Sequence, residues 1–138
     1  MSFRPLDRDD ADDRAALARL IDACDDDDLE EAELDLDDLD PHLLAMVDAD
    51  GEIVAESGAR PSEVDDRLDD IAVLTHPDHR GRRWGALTVH EFITRRQVDG
   101  ARFLYRCDVE NHGSNRVAES VGFEMIHQIA AVRFPDDL

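Results

Sequence analysis

The chain has 138 residues, enough for one domain with a core of its own and too few for two. All fifteen basic residues are arginine against thirty-five acids, a formal net charge of −20. The absence of lysine excludes a lysine Schiff base, a Walker-type phosphate loop and a lysine general base, and the acidity argues against nucleic acid as a partner.

Apolar residues stay periodic although charged residues make up 36% of the chain, which implies a folded protein with an acidic, solvated surface rather than disorder. Cys24 and Cys107 are isolated, suit a reducing compartment and read as small buried hydrophobes. No basic-then-apolar leader and no membrane-length apolar run is present, so a cytoplasmic protein with no membrane partner is expected.

In chain order, Ser2–Leu6 is predicted as a short strand. Asp9 or Asp10 can cap a helix over Ala11–Ala23, with Leu17, Leu20 and Ile21 on one face. The aspartates from Asp25 to Asp28 repel one another and predict a solvated loop. A weaker second helix around Leu29–Leu39 ends before Pro41. Met1–Asp40 carries four arginines and seventeen acids, a net of −13, which suits either a salt-adapted surface or a lure for a cationic acceptor. His42–Val47 and Glu52–Ala59 form a hairpin across Asp48–Gly51, with Gly51 supplying a positive φ. Arg60–Arg67 is a polar connector. A central strand then runs over about Asp69–Thr75.

That strand leads into the stretch around which the chain is organised, Ile71–Gly85, IAVLTHPDHRGRRWG. Pro77 stops the strand, and a helix is predicted over Ala86–Val98. Between them lie Arg80, Gly81, Arg82, Arg83, Trp84 and Gly85, where a helix begins with unbonded N–H groups and a positive dipole end. Arginines at such a place make an anion-binding loop, suited to phosphate. Across His76–Arg106 seven arginines meet three acids, a local +4 against −24 elsewhere. His76 and His79 do not read as a metal pair, because Pro77 spoils a helical face and no further ligand cluster is near. Gly81 and Gly85 do not supply a Rossmann fingerprint. A strand over Ala101–Val109, a helix capped by Ser114 and stopped by Gly122, and a last strand over Phe123–Phe134 complete the order βααβββαβαβ.

The run VLTHPDHRGRRWG resembles the acyl-CoA loop of the GNAT superfamily of N-acetyltransferases, Q/R-x-x-G-x-G/A, with Arg80 and Gly85 at its ends. NHGSNRVAESVGF, Asn111–Phe123, is similar to the same family's N-x-x-S/A-x-x-V/L-x-x-x-x-GF segment. It looks nearest to the relatives that acetylate ribosomal-protein N-termini. The resemblance implies an α+β (mixed α/β) GNAT fold over residues 1–138, a mostly antiparallel sheet of about six strands with about four helices.

It also implies direct transfer of acetyl from acetyl-CoA to an amine, on a small molecule or a protein N-terminus. Main-chain groups of Val73, Leu74 and Thr75 would pair with the pantetheine arm. The N–H groups of Arg80, Gly81, Arg82, Arg83, Trp84, Gly85 and Ala86 would cradle the pyrophosphate, and Asn111 would touch the cofactor arm. Trp84 also suits packing behind the loop. Arg83 replaces the family's central glycine, which predicts a negative φ there with the side chain turned outward.

Candidate bases are Asp69, Asp70 and Glu110. The tyrosine that many relatives use toward the thiolate is replaced by Ala118, which leaves Ser114 or a water. The other reading is a non-catalytic acyl-CoA sensor of the same fold. The acidic, lysine-free composition resembles that of proteins from extreme halophiles, and the short segment after Phe123 points to a homodimer formed through the last strand.

Overall fold

In the computed structural model of the chain, residues 1–27, 42–62, 65–107 and 110–124 are described. The elements are β1 (Ser2–Leu6), α1 (Ala11–Asp27), β2 (Leu43–Val47), β3 (Ile53–Pro61), β4 (Asp69–Thr75), a 3₁₀ turn (Pro77–His79), α2 (Trp84–Gln97), β5 (Phe103–Leu104) and α3 (His112–Val121). The second helix expected around Leu29–Leu39, and the last strand with its dimer edge, lie outside the described residues. Among these residues no helix is long and apolar enough to cross a membrane.

One sheet runs in the order β1-β2-β3-β4-β5, antiparallel up to β4 and parallel between β4 and β5. The parallel pair requires a crossover, which α2 provides. β2, LLAMV, is buried at every position because both of its faces are covered. Leu43, Ala45 and Val47 join Leu17, Leu20 and Cys24 of α1 in one core. Leu44 joins Ile71, Val89 and Phe92 on the α2 side, with Val73, Phe103, Tyr105 and Val117 packed against them.

Asp10 is the residue that caps α1, its carboxylate accepting the Asp13 N–H at 3.0 Å. The helix runs to Asp27 and not to Ala23, and the aspartates after it do not start a loop at Cys24. Cys24 explains this: it is 3% exposed and its Sγ donates to Thr75 O at 3.5 Å, so the core holds the chain helical past Ala23. The hairpin turn forms as expected, with Asp48 Oδ1 accepting from Asp50 N and Glu52 N and Gly51 at φ +81°.

Three other boundaries differ from expectation. β3 continues to Pro61, because Arg60 and Pro61 pair with Asp70 and Asp69. α2 begins at Trp84, two residues before Ala86. Of the strand expected over Ala101–Val109, the described residues up to Cys107 pair only at Phe103 and Leu104. From Tyr105 the chain leaves β4 to pack its ring on Phe123, with centroids 5.4 Å apart.

The entry to α1 rests on Asp13, whose carboxylate accepts from Arg4 Nη1 at 2.7 Å and from Asp7 N at 2.9 Å. Burial alone would raise its pKa, but the Asp7 N–H and the Arg4 guanidinium together hold it below the usual carboxylate value. Asp13→Ala is expected to cost about 1 kcal/mol, since it removes the acceptor of the Asp7 N–H and of the partly exposed Arg4 guanidinium. Urea unfolding at pH 7 checks this, and the loss should shrink at acid pH, where the carboxylate is protonated in both states.

Candidate active site

β4 is bonded to β3 along its whole length but to β5 only at Asp69 and Asp70. Successive residues of a strand turn their polar groups to opposite edges. Asp69 N donates to Arg102 O on the β5 side, and His76 N donates to Val54 O on the β3 side. Odd-numbered residues therefore serve the β5 edge, so the backbone groups of Val73 and Thr75 face the gap where β4 and β5 part. Leu74 does not share in that edge. Its backbone pairs with Glu56 of β3, and its side chain packs into the α1 core.

The gap leads to the N-terminus of α2. Thr75 O, at the top of β4, accepts from Arg80 Nε at 3.1 Å as well as from Cys24 Sγ, which ties the loop to the strand end. Gly81 follows at φ +80°. Arg83 is the correction here: its φ is +65° and its ψ is 13°, not the negative φ expected, and it is the one described non-glycine residue with positive φ. The loop keeps the left-handed turn that a glycine would take and places an arginine in it.

No side chain caps α2, whose first N–H-to-carbonyl bond runs from Leu87 N to Arg83 O. The N–H groups of Trp84, Gly85 and Ala86 thus point out of the helix end with no intrahelical acceptor. Arg82 and Arg83 are exposed beside them. Trp84 is half-buried, and its Nε1 is buried without a partner.

Gly85 has a packing role that the sequence did not reveal. A Cβ there would lie 2.6 Å from Thr75 Oγ1, with Val73 and Val117 also in contact range. The glycine lets α2 press onto β4, and its loss would disturb folding before it disturbed any ligand.

The candidate acids separate onto the two faces of the sheet. Asp69 is half-buried and in register with Phe103, toward α2. Asp70 is buried on the opposite face, its Oδ2 accepting from Arg106 Nη2 at 2.6 Å while its Oδ1 has no partner among the described residues. Glu110 is exposed just ahead of α3. Asn111, not Ser114, caps α3: its Oδ1 accepts the Ser114 N–H at 3.1 Å. Both residue types suit a cap, and here the helix starts three residues earlier than the serine predicts. Gly122 stops it at φ +99°, as expected.

Two further groups were missed in the sequence. Tyr105 OH lies 2.8 Å from Ser114 Oγ, below the gap. Burial pushes its hydroxyl pKa up more than the bond to Ser114 pulls it down, so it stays a proton donor. Glu56 of β3 is 3% exposed, and its Oε1 has no partner among the described residues. Burial raises its pKa from 4.5 to about 8. The available signal was its setting, IVAESGA, where one acid stands inside an otherwise apolar or small run.

Among the described residues, a five-stranded mixed sheet opens after β4 beside the uncapped start of α2, an α/β architecture. The chain belongs to the acetyltransferase (GNAT) family, whose profile matches residues 10–123. At the level of sequence, no curated protein matches it. Solved structures that share its fold include these three. A Salmonella typhimurium protein provisionally named an acetyltransferase, solved with acetyl-CoA, superposes with a TM-score of 0.76 at 18% identity, covering 97% of this chain and 86% of that one. Ribosomal-protein-alanine N-acetyltransferase from Brucella melitensis gives 0.69 at 20% identity, over 90% and 85% of the two chains. An aminoglycoside N-acetyltransferase in complex with CoA gives 0.67 at 16%, over 97% and 99%.

Two outcomes are expected from this geometry. A left-handed residue other than glycine costs about 1 kcal/mol, so Arg83→Gly should leave stability unchanged or raise it by up to that amount. Gly85→Ala should cost about 1–3 kcal/mol through its clash with Thr75 Oγ1, and Thr75→Ala should recover part of the loss. Denaturant midpoints of the single and double variants measure both.

A third concerns Glu56. Its folded pKa of about 8 lies above the ordinary 4.5, so its contribution is fully present below pH 4.5 and is lost as pH rises through 8. Glu56→Gln should therefore flatten the fall in stability between these limits, by an amount on the order of 4 kcal/mol. Unfolding followed from pH 5 to 9 tests it.

Proposed function

We propose that this protein is an acetyl-CoA-dependent N-acetyltransferase that moves the acetyl group directly to an amine within a ternary complex. The observation that carries this reading is the continuous path from the open edge of β4 to the uncapped start of α2. An extended amide-bearing arm would lie against Val73 and the Thr75 N–H as an added strand does, the Thr75 carbonyl being taken by Arg80 and Cys24. Its pyrophosphate would meet the N–H groups from Gly81 to Ala86, with Arg82 and Arg83 at its flanks. Arg80 acts through Thr75, since its Nε is already spent on that carbonyl. Asn111 would offer its amide nitrogen to the arm, its oxygen being the cap of α3.

Transfer requires loss of a proton from the amine, a donor at the thioester oxygen and a donor to the departing thiolate. Asp70 suits the first task better than Asp69 or Glu110, because it is buried, fixed by Arg106 and still has a free oxygen. The Tyr105–Ser114 pair supplies a hydroxyl for the last, in place of the tyrosine absent at Ala118. The acceptor is an amine on a small molecule or a protein N-terminus. The net charge of −20 suits salt adaptation in a cytoplasm of high ionic strength.

Acetyl-CoA should raise the melting temperature by mass action, and no shift at ligand concentrations far above micromolar would remove the cofactor assignment. A thiol-release screen across amine classes at high salt should then find turnover; binding without release would make the protein a sensor. Tyr105→Phe and Ser114→Ala should each lower kcat about 10-fold or more with little change in KM for acetyl-CoA. Stability should also increase from low to molar salt as carboxylate repulsion is screened.

A further inference from the structure

The α1 face of β3 and β4 holds a row of residues that the cofactor path does not use. Glu56 pairs with Leu74, Gly58 with Ala72, and Arg60 with Asp70, so these six share one face. The middle of the row carries almost no side chain. A Cβ at Gly58 would fall 3.1 Å from Glu56 Oε1 and 2.6 Å from Leu43 Cδ2, so the Glu56 carboxyl leans over the glycine toward Asp70. Two buried carboxylate oxygens on this face, Glu56 Oε1 and Asp70 Oδ1, have no partner among the described residues.

Among the described residues, no neighbour supplies a cation to Glu56. On β2 the facing residues are the apolar Leu43 and Ala45. From α1 comes the Cys24 thiol, bonded to Thr75 O, while Arg19 is exposed against Glu52 at 3.5 Å. Arg60 is exposed at the far end of the row. Arg106 is taken by Asp70 Oδ2, and its side chain, 46% exposed, marks where the row reaches solvent. Burying a carboxyl with no partner is destabilising relative to an apolar residue, so a structural role does not explain it.

We propose that Glu56 is a specificity residue of the acceptor site, receiving the ammonium of an alkyl primary amine over Ala72, beside the Gly58 that Leu43 covers, with Asp70 on the far side. This rests on the acetyltransferase reading and narrows it, because aryl amines are uncharged near neutral pH and gain nothing from the site. An ammonium has three N–H donors, enough for both orphaned oxygens and one more acceptor. When R–NH₃⁺ docks, the Glu56 carboxyl gives its proton to solvent and pairs as the carboxylate, so binding releases one proton. Burial that holds the empty carboxyl neutral sets the pH range in which this is visible.

The test is a carboxyl-carbon NMR titration of Glu-labelled protein, with the Glu56 resonance assigned by Glu56→Gln. Should that variant fail to fold, through-bond correlations in the wild type give the assignment. Propylamine at a concentration on the order of 50 mM should lower the apparent pKa of Glu56 by a unit or more, while 1-propanol and tetramethylammonium at the same concentration leave it in place. An unmoved Glu56 with propylamine, an equal shift with tetramethylammonium, or titration in the ordinary carboxylate range without any amine would each overturn the proposal. The acetyl-CoA melting shift on the same sample separates the two readings. If it persists while Glu56 does not respond, only the acceptor proposal falls; if it is absent, the cofactor assignment falls by itself.

Discussion

β4 has partners on both edges at Asp69 and Asp70 and on one edge only as it approaches Thr75. An interior strand with an open edge would expose unpaired N–H and C=O groups, a costly arrangement unless water or another chain takes them. Here the divergence of β5 keeps that edge open, and Tyr105 holds the divergence by packing on Phe123 and reaching Ser114. Gly85 sets the other wall by letting α2 sit against Thr75. The gap is thus a product of packing on both sides and not of loop flexibility.

Thr75 O gathers three elements at the head of this gap. The last turns of α1 arrive through Cys24, the arginine loop through Arg80, and β4 supplies the carbonyl itself. One acceptor with two lone pairs can take both donors. The side of the sheet that faces α1 and the side that faces α2 are therefore joined at a single backbone atom, at the end of β4 nearest the start of α2.

Much of the sheet was legible in the sequence because its strands are short apolar runs bounded by turn chemistry. LLAMV, IVAESGA and IAVL could hardly be anything else, and the bounds of β4 come out as the sequence predicts. The failures have specific physical sources. Alternation from Phe103 to Cys107 is visible in the sequence, but whether it pairs depends on where α3 and Phe123 sit, which is non-local. Asn111 and Ser114 are both good caps, and local preference does not rank them. The separation of Asp69 from Asp70 onto opposite faces follows from strand period and could have been foreseen; the burial of Glu56 had only its apolar setting as a signal, against the ordinary reading of a strand glutamate as its solvent side.

The left-handed turn at Arg83 has a consequence for how this loop is recognised. The strand end, Gly81 and the press of α2 on β4 determine its backbone path, so the residue in the turn adapts to a shape that its neighbours impose. A search pattern that insists on glycine at that place records the cheapest occupant of the turn and not the requirement itself. Chains that accept the strain and gain a guanidinium at the mouth of the loop would be passed over by such a pattern, although their backbones trace the same curve.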